Sequence, residues 1–298
     1  MYKKLLTIGI STRALFDLDY ENQIFMDQGT EAYVSYMVAH ENEPLKKGPA
    51  YGLIKAFLAL NEMGEEPICE VIVMSQNSAD SSLRIFNSIA AYGLNITKAA
   101  LTTGASIVPY LSAYHVDLYL SANEEDVARA TMAGIAAATV LSSSGQNEGG
   151  ITQIRIAFDG DCVLFNNESE LIFQKDGLEA FGEHEKNQAL VPLKRGPFAN
   201  LLTTISHIQS QFSDCQAAPI RTALITARCA PAHERVIRTF RNWGVRIDEA
   251  HFLGGMDKTA VLQAFGAHIF FDDNEDNIKA ASTVVLAAKV PNFLKAVI

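Results

Sequence analysis

The run Pro44-Leu-Lys-Lys-Gly-Pro49 returns 148 residues later as Pro192-Leu-Lys-Arg-Gly-Pro197, with a single Lys/Arg exchange. A repeat constrains a fold more than any isolated motif, because each copy must build the same supersecondary unit. The same ungapped offset sets Ile8-Gly-Ile-Ser-Thr-Arg-Ala-Leu-Phe16 on Ile156-Ala-Phe-Asp-Gly-Asp-Cys-Val-Leu164. It also sets Ile24-Phe25 on Ile172-Phe173 and Gly29 on Gly177. Further on, the offset becomes 151 and pairs Ser75 with Thr226, Arg84 with Arg235, Gly93 with Gly244 and Asn123-Glu124 with Asn274-Glu275. The chain of 298 residues therefore reads as two related halves, 1–141 and 151–298. The stretch between them, 142–150, is rich in Ser and Gly and has the composition of a linker.

Both halves give the same sequence of elements. A first apolar strand (Leu5 to Ile10; Ile154 to Phe158) leads into a polar segment and an apolar pair. A helical pattern follows (Thr30 to His40; Leu178 to Gln188), then the Lys-Lys/Arg-Gly-Pro turn and a second helix (Tyr51 to Met63; Phe198 to Gln211). Next come an apolar strand (Glu70 to Met74; Thr222 to Ile225) and a helix (Asp80 to Tyr92; Ala232 to Trp243) that stops at Gly93 or Gly244. A short strand, a helix and a last strand (Val116 to Leu120; Ala267 to Phe271) close each unit. Strands alternating with helices predict an α/β fold: two tandem Rossmann-like halves, each with a parallel sheet covered on both faces.

The formal net charge of -10 argues against nucleic-acid polymers and anionic membrane surfaces as partners, since both reward an excess of Lys and Arg. No window reaches the ~20 apolar residues of a membrane span, and the N-terminal apolar run suits a strand better than a signal peptide. Cys69, Cys162, Cys215 and Cys229 show no Cys-x-x-Cys spacing. The expectation is a cytoplasmic, reduced protein with its thiols free. A homo-oligomer is compatible with these properties.

The halves differ at the ends of their equivalent strands. The second carries Asp159 and Asp161, then Thr226, Lys258 and Asp272-Asp273; the first carries Ser11 and Arg13, then Ser75, Ile107 and Ser121-Ala122. One copy has thus kept four carboxylates, a hydroxyl and a lysine, and the other has none of the carboxylates and no lysine. The charged set suits phosphoryl transfer. Asp159 at a strand end can act as nucleophile, and Asp161 can protonate the leaving oxygen and then activate water. Asp159 and Asp273 can hold Mg²⁺, while Thr226 and Lys258 hold phosphate oxygens. In the first half, Ser11, Arg13, Ser75 and Asn77 make a candidate second anion site without chemistry. Of the other basic residues, Arg228, Lys194 and Arg195 are candidates for substrate binding.

This ordered set, carried by Phe158-Asp-Gly-Asp-Cys-Val-Leu164, Leu224-Ile-Thr-Ala-Arg228, Lys258 and Phe270-Phe-Asp-Asp273, resembles the haloacid dehalogenase superfamily of phosphatases. The runs Ser11-Thr-Arg-Ala-Leu-Phe-Asp17, Met74-Ser-Gln-Asn-Ser-Ala-Asp-Ser-Ser-Leu-Arg-Ile-Phe-Asn87 and Thr226-Ala-Arg-Cys-Ala-Pro-Ala-His-Glu-Arg235 are similar to the cytosolic 5′-nucleotidase I family. The resemblance implies Mg²⁺-dependent hydrolysis of nucleoside 5′-monophosphates, AMP above all. It implies Asp159 as nucleophile and Asp161 as acid/base, whose backbone carbonyl also binds Mg²⁺. Thr226 and Lys258 are the implied phosphate ligands, with Asp273 and Asp272 completing the metal site. A short helical cap is implied between Asn166 and Phe212. Two rivals remain at this level: a phosphatase for sugar phosphates, and a nucleotide-sensing binding protein.

Overall fold

A computed structural model describes residues 6–62, 66–141, 151–212, 214 and 217–292. The proposed linker and Cys215 lie outside the described residues. The remainder divides into two compact units, one within Leu5–Ser142 and one within Thr152–Ile298.

In the first unit five parallel strands lie in the order Lys98–Leu101, Cys69–Ser75, Leu6–Ile10, Leu118–Ser121, Ala136–Val140. In the second the order is Glu249–Phe252, Ile220–Thr226, Ile154–Phe158, Ile269–Asp272, Leu286–Lys289. Numbered along the chain, each sheet reads 3-2-1-4-5. Its first strand lies innermost and is buried on both faces: Leu6–Ile10 is buried throughout, and Ile154–Phe158 is exposed only in part, at Arg155. Such strands read as continuous apolar runs because helices cover both sides. In the second unit Phe158 stacks on Phe271 at 5.5 Å between ring centres, and Phe198 packs on Phe271 at 4.7 Å. The core thus lies directly beneath the strand ends that carry the charged residues.

Three expectations need correction. Each unit closes on a further helix and strand: Glu124–Met132 with Ala136–Val140, and Glu275–Ala281 with Leu286–Lys289. These strands are rich in Ala, which carries little of the β-branched and aromatic signal that marks a strand. The helices expected from Thr30 and Leu178 begin earlier, running Asp19–Ala39 and Glu168–Asn187. Each bends at one glycine, Gly29 (φ 83°, ψ −175°) or Gly177 (φ 84°, ψ −176°), which breaks the period a sequence reading relies on.

The ungapped alignment also slips by one residue after the first strand. In the first unit Ser11 caps a four-residue helix, Thr12–Leu15, and Phe16 pairs with Lys47. In the second, a five-residue turn spans Gly160–Leu164, and it is Phe165 that pairs with Arg195. The longer turn contains an extended Asp161 (φ −69°, ψ 142°) and a left-handed Cys162 (φ 62°).

The glycine of the repeated Pro-Leu-Lys-Lys/Arg-Gly-Pro run has a steric cause. Gly196 donates its N–H to Leu164 O at 2.8 Å, and Gly48 donates to Leu15 O at 3.0 Å. A Cβ on Gly196 would lie 2.3 Å from the Phe165 carbonyl oxygen, and one on Gly48 would lie 2.7 Å from Phe16 backbone atoms. Backbone cannot step aside as a side chain can. Gly196→Ala is therefore expected to destabilise the second unit by about 1–3 kcal/mol, read as a lowered denaturation midpoint. An unchanged midpoint would refute this account of the motif.

Candidate active site

In a 3-2-1-4-5 sheet the chain runs outward on one side of strand one, then crosses to strand four. The crevice at the carboxyl ends of strands one and four is a topological switch point, where open α/β sheets bind ligands. In the second unit Asp159 directly follows strand one, Asp272 ends strand four and Asp273 follows it. Thr226 ends the neighbouring strand two. The Asp159 N–H donates to Phe271 O at 2.8 Å, which ties the two strand ends together.

Lys258 joins the two strand-end carboxylates. Its Nζ donates to Asp159 Oδ1 at 2.6 Å and to Asp272 Oδ2 at 2.7 Å. Asp272 is fully buried; it also accepts from the Asn274 backbone N–H at 2.8 Å and from Asn277 Nδ2 at 3.0 Å. Asp273 accepts from Asn292 Nδ2 at 2.5 Å. One carboxylate oxygen each from Asp159, Asp272 and Asp273 lie within 4.8 Å of one another. Thr226 is buried beside them, and its Oγ1 accepts from the Arg228 N–H at 3.3 Å. Gly160 leaves room for that hydroxyl, since a Cβ there would sit 3.2 Å from Thr226 Oγ1.

The electrostatics of this cluster are unbalanced. Three carboxylates share a buried space with one ammonium. Burial pushes the Asp159 carboxyl up, Lys258 pulls it down, and Asp272 and Asp273 push it up again. Asp273 is pushed up to about 6 by burial and then by the Asp272 charge. Burial works against the charge on Lys258, but Asp159 and Asp272 hold its pKa above the ordinary lysine value. An excess of buried negative charge is unfavourable unless a cation joins it. Oxygen donors of this kind suit a hard divalent ion.

Asp161 sits apart from the other three carboxylates in its contacts. Arg228 grips it with both ends of its fork, Nε to Oδ2 at 2.7 Å and the second terminal nitrogen to Oδ1 at 2.6 Å. The remaining terminal nitrogen of Arg228 donates to Glu185 at 2.6 Å, and the guanidinium lies over the rings of Phe165 and Phe181. Glu185 is fully buried and also accepts from Arg235 at 2.9 Å and Ser169 at 2.8 Å. All three nitrogens of the Arg228 guanidinium are thus engaged by Asp161 and Glu185. Lys194 pairs with Glu168 at 2.7 Å. Arg195 lies 4.9 Å from the centre of the Trp243 ring and donates to Thr203 at 3.1 Å. Those contacts hold Lys194 and Arg195 to the surrounding helices. Cys162 is buried, and burial pushes its thiol up, as expected of an inert cysteine. Cys229 is free and exposed.

Sequence reasoning missed Glu185, Asn277 and Asn292. A trace of the first was present. Arg84 and Arg235 repeat at equivalent positions, and each has a buried glutamate partner, Glu21 at 2.8 Å and Glu185 at 2.9 Å. A buried arginine demands such a partner.

In the first unit the equivalent positions carry no carboxylate. Ser11 Oγ accepts from the N–H of Ala14 and of Ala122, and Ser75 Oγ accepts from the Asn77 N–H. Asn77 donates to the Tyr33 hydroxyl at 3.1 Å. Arg13 pairs with Asp19 at 3.2 Å at the surface.

Fold and site together define a Rossmann-like α/β protein with a carboxylate cluster at the switch point of one sheet. The 5′-nucleotidase family model matches residues 1–296, and the chain belongs to that family. It is 37% identical over 289 residues to human cytosolic 5′-nucleotidase 1B, an alignment that covers 94% of this chain and 47% of the relative. The chain therefore spans about half the length of that curated relative. No solved structure matches it. Among the described residues no helix is long and apolar enough to cross a membrane.

Proposed function

We propose that this protein is a Mg²⁺-dependent 5′-nucleotidase of the haloacid dehalogenase type. It would hydrolyse nucleoside 5′-monophosphates, AMP-like ones above all, to nucleoside and phosphate. The carrying observation is the Asp159–Lys258–Asp272 linkage at the switch point, with Asp273 and Thr226 beside it. We read the unit within Thr152–Ile298 as catalytic and the unit within Leu5–Ser142 as a degenerate copy. The shared strand order and the matching bends at Gly29 and Gly177 support a duplication. The relative's name supports a cytosolic setting, and the acidic surface charge suits a small-molecule partner rather than a polymer.

Asp159, Asp273 and Asp272 would hold the Mg²⁺, together with the Asp161 backbone carbonyl. When bound, the ion offsets the charge of the phosphate and of the carboxylate cluster. Asp159 attacks phosphorus as the bond to the 5′-oxygen breaks, giving an aspartyl phosphate. Asp161 supplies the proton that leaves with the nucleoside. It then takes a proton from the water that attacks the aspartyl phosphate, which releases phosphate and restores Asp159. Thr226 and Lys258 hold phosphate oxygens throughout. Both Asp161 oxygens accept from Arg228, and protonation of either weakens the hydrogen bond it accepts.

The test is phosphate release from nucleoside 5′-monophosphates, 3′-monophosphates and sugar phosphates. We expect preference for the 5′-monophosphates, with activity abolished by EDTA and restored by Mg²⁺. Turnover confined to sugar phosphates would reject the nucleotidase reading and keep the catalytic one. Turnover of none would favour the nucleotide-sensing reading.

A further inference from the structure

We propose that the first unit contains a binding site of its own for a nucleoside phosphate, one that needs no metal ion and performs no hydrolysis. The site is a cavity of about 400 Å³ whose lining lies entirely within that unit. This is within the range of about 300–1,000 Å³ usual for small-molecule pockets. The inference rests on this cavity and not on the hydrolytic reading of the second unit.

The position of the cavity is the first argument. Ser11, Arg13, Ser75, Ile107 and Ser121 all line it. These are the residues that the repeat pairs with Asp159, Asp161, Thr226, Lys258 and Asp272. The ligand crevice of the fold has therefore kept its place while its charges changed.

Charge is the second argument. In the second unit a cluster of carboxylates must be offset by a cation before an anion can enter. In the first unit Arg13 and Asp126 are the charged residues of the lining, and Asp126 is already engaged by Arg129 at 2.7 Å and by Gln76 at 2.8 Å. Arg13 is bound to Asp19 through an exposed pair, with side chains 42% and 86% accessible. Such a pair is weak and exchanges readily for a better anion.

Hydroxyl orientation is the third. Ser11 Oγ accepts from two backbone N–H groups, Ser75 Oγ from that of Asn77, and Ser121 Oγ from that of Asn123. With its oxygen lone pairs engaged by the backbone, Ser11 keeps its own O–H to donate. The Thr12–Ser75 hydroxyl pair, 3.4 Å apart, uses one O–H internally and leaves the other to donate, and Ser121 is hydrogen-bonded to the Tyr119 side chain. The Ser11 hydroxyl, the remaining O–H of the Thr12–Ser75 pair and one guanidinium suit a phosphate. Phe25 and Tyr33, packed edge to face at 6.1 Å, add an aromatic wall suited to a base. Ser11 stands where the nucleophile would be, so the ester is bound and not cleaved.

The test is isothermal titration calorimetry on the full chain in EDTA, with AMP, adenosine and inorganic phosphate as probes. We expect AMP to bind in EDTA, phosphate to compete with it, and adenosine to bind at least tenfold more weakly. Arg13→Glu should weaken AMP binding by tenfold or more, and Arg13→Lys should retain most of it; the exposure of Arg13 keeps both variants folded. Lys258→Met should leave binding in EDTA unchanged. Loss of binding in Lys258→Met would assign it to the second unit and overturn the proposal. So would adenosine binding equal to that of AMP, wild-type affinity in Arg13→Glu, or no AMP binding in EDTA.

Discussion

Asp159→Asn is expected to lower kcat by about 10⁴-fold or more, the scale of loss when the nucleophile of a covalent mechanism is removed. The replacement is nearly isosteric, so the Thr226 hydroxyl, Arg228 and the switch-point crevice stay in place. It removes one of three carboxylates that share a buried space with a single ammonium. Folding stability should therefore hold or rise, because burial and the charges of Asp272 and Asp273 disfavour the ionised Asp159 while Lys258 alone among the charged neighbours favours it. This separates a chemical loss from a structural one. Rapid quench with labelled substrate should trap an acid-stable, base-labile phosphoenzyme in the wild type and none in the variant. A variant that turned over within tenfold of the wild type would remove Asp159 from the nucleophile's role.

The carboxylate cluster was legible because its residues interrupt apolar runs. Ile154–Phe158 and Ile269–Asp272 are buried strands, and a carboxylate that closes such an apolar run lies at the carboxyl end of the sheet. The duplication sharpened this, since the first unit has the same strand order without the charges. Other features were hidden for physical reasons. The fifth strands, Ala136–Val140 and Leu286–Lys289, are made mostly of small residues that any buried element tolerates. The bends at Gly29 and Gly177 interrupt the period, so that only the pieces after each glycine read as helix. The extra residue in the Gly160–Leu164 turn is invisible to an ungapped alignment, yet it is what leaves Asp161 extended. Arg228 reads from sequence equally as a candidate for substrate binding or as an ion-pair partner, because sequence shows a charge but not its partner. Its partner Glu185 lies 43 residues away, on the helix Glu168–Asn187.

That glutamate gives the second large effect. Glu185→Ala is expected to destabilise the second unit by about 3–5 kcal/mol, the cost of removing one member of a buried ionic network. Glu185 is fully buried, and Arg228 and Arg235 are each 3% exposed. The substitution leaves two guanidinium groups facing each other with no anion between them and deprives the Ser169 hydroxyl of its acceptor. Lys194→Ala provides the control. Its ion pair with Glu168 lies in the same region but is exposed, with the lysine side chain 73% accessible, and such pairs contribute about 0–1 kcal/mol. Trp243 is the one tryptophan of the chain and packs in this unit against Phe165 and Arg195, so its fluorescence in urea follows the relevant transition. Function should suffer as well. Arg228 orients Asp161 and is itself anchored by Glu185, so residual activity should show a fall in kcat larger than any rise in KM. A Glu185→Ala midpoint no lower than that of Lys194→Ala would mean that the buried network is dispensable. Asp161 would then have to be held by the strand-end turn alone.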